Sequence, residues 1–150
     1  MKEMYDTERL VIRRACDQDL NDLYTIFGEP KVMGDKVKTY DETVKLMKDA
    51  YSNKNQWVVF LKDNLRVICF VKIISTVKDE YIIDEYINES YNTKGMMYEV
   101  ARTFFRELFD AGAKKVKGMI NFVPISGEKL NDRLNCAGVV NKSDCLVRGK

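Results

Sequence analysis

Apolar and polar positions change period several times along the chain, and each change marks an element. Between Arg9 and Arg14 the apolar side chains Leu10 and Ile12 alternate with polar ones, which predicts a first strand. Leu20, Leu23, Tyr24 and Phe27 then follow at helical spacing. Asp17 stands where an N-cap belongs, and Gly28 stands where a left-handed residue would end the helix. Thr39 and Glu42, three apart, form a capping box for a second helix with Val44, Met47, Ala50 and Tyr51 as its apolar stripe.

The middle of the chain shifts to strand character. Segments 56–62 and 65–76 are rich in Val, Ile and Phe and are split by Asp63-Asn64, a pair suited to a tight hairpin. Segment 80–88 reads as the third strand of the same meander. Helical spacing returns with Met97, Val100, Ala101, Phe104, Leu108 and Phe109, ended by Gly112. A strand over 116–122, a short helix between Ser126 and Gly138 and a last strand within 139–147 complete the order. A strand–helix–strand unit near the end calls for a parallel pair, whereas the meander is antiparallel. The expected fold is therefore α+β: a mixed, mostly antiparallel sheet flanked by helices, as one domain over residues 1–150.

Composition adds exclusions. Hydrophobic residues at 45% and charged residues at 32% describe a globular chain rather than a disordered one. The chain has 25 basic and 23 acidic residues, so no overall field draws it to nucleic acid or a membrane. The cluster Lys114, Lys115 and Lys117 lacks interleaved aromatics and reads as a solvated strand entry. There are 0 histidines, which removes Ser-His-Asp and Cys-His nucleophiles, histidine zinc sites and histidine pH switches. Cys16, Cys69, Cys136 and Cys145 form no C-x-x-C pair. With a polar, charged segment at 1–8 and no long apolar run, a cytoplasmic location with reduced thiols is expected.

Two segments resemble the GNAT acetyltransferases, in the branch that includes the RimJ and RimL ribosomal-protein acetyltransferases. The first is Thr7-Glu8-Arg9-Leu10-Val11-Ile12-Arg13-Arg14, followed after a helix by Glu29-Pro30-Lys31-Val32-Met33. The second is Tyr91-Asn92-Thr93-Lys94-Gly95-Met96-Met97-Tyr98-Glu99, where the family carries its coenzyme loop. The resemblance implies that acetyl-CoA is the co-substrate and an amine, small-molecule or protein, the acceptor. Its pyrophosphate would lie on the amides of Asn92, Thr93, Lys94, Gly95, Met96 and Met97, because a helix N-terminus favours an anion and glycine permits close approach. Of the family's loop pattern only Gly95 is kept; Asn92 and Met97 stand at the other two places.

The resemblance also assigns the strand before the loop. Its backbone, over Tyr86, Ile87 and Asn88, would pair with the pantetheine arm, and amides near Ile87 would polarise the thioester carbonyl. Asp84 falls at the position of the acid that deprotonates the amine. Its neighbour Glu85 points to the opposite face, and either one is a candidate to meet the acetyl group. The family's tyrosine proton donor is replaced by Leu134, which leaves Tyr86 and Tyr98 as substitutes. Arg102 and Arg106, one turn apart, either meet the adenosine 3′-phosphate or face water. A chain with this fold that has lost catalysis and serves as a binding module is the alternative; monomer and homodimer both stay open.

Overall fold

A computed structural model of the chain describes residues 3–53, 55–75, 77–91, 94–121 and 138–141. The described strands form a seven-stranded sheet in sequence order. They are β1 (Met4–Asp6), β2 (Leu10–Arg14), β3 (Gln56–Leu61), β4 (Val67–Ser75), β5 (Glu80–Ile87), β6 (Lys115–Asn121) and β7 (Gly138–Asn141). Neighbours pair antiparallel except β5 and β6, which run parallel from Glu80–Lys115 to Tyr86–Asn121. The mixed sheet expected from the sequence is what forms, and β1 is an addition to it. Tyr5, the one buried residue of that short polar segment, is what docks β1.

Among the described residues four α-helices cover the sheet: α1 (Leu20–Phe27), α2 (Pro30–Met33), α3 (Tyr40–Asn53) and α4 (Lys94–Asp110). Alternate side chains send each strand's apolar residues into two cores. On one face Ile12, Trp57, Val71, Ile83 and Ile87 pack under Val100, Phe104 and Leu108 of α4. On the other, Val58, Val67 and Phe70 meet Leu23, Ile26 and Phe27 of α1, Met33 of α2 and Met47 of α3. Each fully buried side chain of this size contributes roughly 1.5–3 kcal/mol.

Local signals were read correctly at some ends and not at others. The α3 capping box is present: the Glu42 amide donates to Thr39 Oγ1 and the Thr39 amide to Glu42 Oε1, both at 3.1 Å. Gly112 ends α4 with φ +110. At the start of α1 it is Asp19, not Asp17, that organises the turn. Its carboxylate accepts the Cys16 amide at 2.8 Å and both Nη atoms of Arg13 at 2.8 Å, while the residue is 2% exposed. The ion pair with Arg13, one strand away, outweighs a purely local cap. Gly28 keeps a right-handed backbone, φ −87; the left-handed glycine is Gly34 at φ +61, after α2. The expected helix over 126–138 lies outside the described residues, apart from Gly138, which opens β7.

Candidate active site

β5 carries the residues with the clearest chemistry, and its alternation separates them. Ile83, Glu85 and Ile87 turn toward α4, whereas Ile82, Asp84 and Tyr86 turn toward α1–α3. Glu85 is 1% exposed. Burial, and after it the neighbouring Asp84 charge, holds its carboxyl well above the ordinary carboxylate range, which favours the neutral acid. The same burial pushes the Cys69 thiol up, so Cys69 is a core residue rather than a nucleophile.

Asp84 is half-buried and reaches its neighbour on the same face: the Tyr86 hydroxyl donates to Asp84 Oδ2 at 2.8 Å. The Tyr86 ring is wedged between Phe27 at 5.4 Å and Phe70 at 6.2 Å. Burial, then the Asp84 charge, raises the Tyr86 phenol above its usual value, so it remains a neutral donor. Its hydroxyl is directed at the Asp84 carboxylate. The side chain of Tyr98, the other substitute donor, lies outside the described residues.

Past β5 the backbone turns sharply into α4. Asn88 makes that turn: its amide donates to the Ile68 carbonyl at 2.7 Å, its carbonyl accepts from the Tyr91 amide at 2.9 Å, and its Oδ1 accepts from the Ser90 amide at 2.9 Å. Asn64 Nδ2 donates to the Tyr91 hydroxyl at 3.0 Å, tying the turn to the β3–β4 hairpin. Asn92 and Thr93 lie outside the described residues. Lys94, Gly95, Met96 and Met97 form the first turn of α4, so Gly95 is a helical residue and not the pivot of a left-handed turn.

This arrangement is that of a known family. Residues 9–123 match the family model described as an acetyltransferase (GNAT) domain. The chain belongs to the GNAT acetyltransferases. Solved structures agree on the GNAT fold at low identity. A GNAT-family acetyltransferase from Bacillus anthracis is 20% identical with a TM-score of 0.69, covering 77% of this chain and 72% of that one. Spermidine N-acetyltransferase from Vibrio cholerae, solved with CoA and spermine, is 11% identical with a TM-score of 0.73, covering 93% and 99%. RimL, a ribosomal alpha-N-protein acetyltransferase in complex with coenzyme A, is 14% identical with a TM-score of 0.64, covering 77% and 73%. A search of curated protein sequences finds no match.

Other residues of this GNAT chain lie away from the end of β5. Arg102 and Arg106 line an open groove of about 920 Å³ together with β1 and Arg9, at the far edge of the sheet from β5. Arg9 pairs there with Glu99 at 2.8 Å. Trp57 is 1% exposed in the α4-side core, with Arg14 stacked on it at 4.5 Å. Two residues that sequence reasoning passed over share a row of the sheet with Asp84. Strand register aligns Gln56, Lys72 and Asp84 in one row across β3, β4 and β5. The available signal was a lone lysine inside the apolar run of β4, on the face its neighbours Val71 and Ile73 avoid. No described helix is long and apolar enough to cross a membrane.

Proposed function

We propose that the protein is an N-acetyltransferase that moves the acetyl group of acetyl-CoA to an amine by direct attack, with Asp84 as the general base. The observation that carries this reading is the half-buried Asp84 carboxylate, held by Tyr86 on the helix-lined face of the strand that leads into α4. Acetyl-CoA supplies an activated thioester. The chain's own residues bind, orient and move a proton. Asp84 takes the proton of the incoming ammonium so that a neutral nitrogen attacks, and Tyr86 fixes the carboxylate's direction. Glu85, neutral and sealed on the opposite face, has no part in that transfer.

The residues present suit the coenzyme. α4 has no acidic residue in its first turn, so its unpaired amides and dipole meet an anion without repulsion. We assign the thioester carbonyl to the backbone near Ile87, where β5 ends. A binding protein without turnover is the second reading, favoured by Met97 at the place where the family loop carries a small residue.

Calorimetric titration with acetyl-CoA, followed by thiol release in the presence of amines, tests both readings. Binding with turnover is expected. Binding with no turnover of any amine selects the second reading, and no binding to the folded protein removes both. Gly95→Val should weaken coenzyme binding at least tenfold, about 1.4 kcal/mol. Its stability should hold, because valine in a helix costs no more than glycine.

A further inference from the structure

A cavity of about 310 Å³ lies between α3 and the sheet, lined by Gln56 and Lys72 of the sheet and by Lys38, Glu42, Lys45 and Asp49; Asp84 is the cross-strand neighbour of Lys72 at its edge. Gln56 is 3% exposed, and its Oε1 is buried without a hydrogen-bond partner. A buried amide oxygen in that state is destabilising, and a ligand donor would recover the loss. Lys72, half-buried, forms no salt bridge with a described acid. On α3 Glu42 is committed to the Thr39 cap, and Lys45 stands one helical turn from Asp49. The sheet side is therefore a cation beside a hydrogen-bond acceptor, in one row with the Asp84 carboxylate. Row neighbours are about 5 Å apart, so Asp84 and Gln56 are separated by roughly 10 Å.

We infer that this cavity binds the acceptor, and that the acceptor is a small primary amine carrying an anionic group, a carboxylate or a phosphate. The inference rests on the acetyltransferase reading above. The amine lies at Asp84, the anionic group at Lys72, and a hydroxyl or N–H of the acceptor donates to Gln56 Oε1. The cavity is at the small end of ligand sites, which suits a metabolite-sized molecule rather than a polypeptide segment. A polyamine is the wrong charge: its second ammonium would meet Lys72. Similarity of fold to a spermidine acetyltransferase therefore does not carry over to the acceptor.

The test measures kcat/KM by thiol release for matched pairs, compared at equal concentrations of the neutral amine: alanine against alaninamide, glucosamine 6-phosphate against glucosamine, and spermidine separately. The anionic member of at least one pair should be preferred at least about tenfold, and spermidine should be the poorest; which pair responds tells carboxylate from phosphate. Lys72→Met should abolish the preference mainly through KM, and Lys72→Arg should restore part of it. Gln56→Leu should raise KM for the preferred amine severalfold. Equal rates within both pairs, a preference for spermidine, or a preference that survives Lys72→Met would overturn the acceptor assignment and leave the transferase reading standing. Binding of acetyl-CoA without turnover of any amine overturns both.

Discussion

Asp84 and Glu85 are adjacent in sequence and chemically alike, yet the two faces of β5 make them opposites. Toward α4 the sheet is closed by Val100, Phe104 and Leu108, and Glu85 is sealed among apolar side chains as a neutral acid. Toward α1–α3 the cover is incomplete. Apolar packing stops at Phe70 and Tyr86, and the next row along the sheet is Gln56, Lys72 and Asp84. One face is packed shut and the other carries polar side chains, and a single-residue step along the strand decides which a carboxyl group meets.

The comparison breaks most severely at Asp84. Asp84→Asn preserves size and should lower kcat by about 10²–10⁴-fold, the usual contribution of a general base, while acetyl-CoA affinity by calorimetry stays near the parent value. The closed face is next. Phe104→Ala should cost about 3–5 kcal/mol in urea unfolding, because it empties a site in contact with Trp57 and Tyr5 at ring-centroid distances of 5.5 and 6.3 Å.

Glu85 sharpens the contrast through pH. Its folded pKa lies above the unfolded one, so between the two the native state binds the extra proton. Parent stability is then full below the ordinary glutamate range and declines as pH rises through the raised value. Glu85→Gln removes that dependence. In chemical denaturation it should match the parent around pH 4 and exceed it around pH 8, with turnover little changed. A variant less stable than the parent around pH 8 would contradict a neutral Glu85. The smallest effect belongs to the cover of the open face: Thr39→Ala removes one half of the α3 capping box and should cost about 1 kcal/mol.

Elements with a strong period or a local motif were legible without coordinates. The meander, the helix from Met97 onward, the Thr39–Glu42 box and the stop at Gly112 all depend on residues within a few positions of one another. The parallel β5–β6 pair followed from the strand–helix–strand order. Errors gathered where a partner outside the element intervenes. Asp19 displaced Asp17 because Arg13, on β2, reaches it. β1 escaped notice because its three residues carry almost no pattern until β2 offers a ladder.

The candidate site divides the same way. Asp84, Glu85 and the residues from Tyr86 to Met97 were reached from a family resemblance and a strand's alternation, both properties of consecutive residues. Alternation showed that the two acids face apart, but which face is closed depends on where α4 packs. Gln56 and Lys72, which lie 28 and 12 positions before Asp84 in the sequence, join it only through strand register. The sequence by itself determined the fold class and the order of most described elements, because period and local hydrogen bonding act over a few residues. Only the tertiary structure decided which carboxyl is buried and what stands beside it, because burial and cross-strand neighbours are set by segments far apart along the chain.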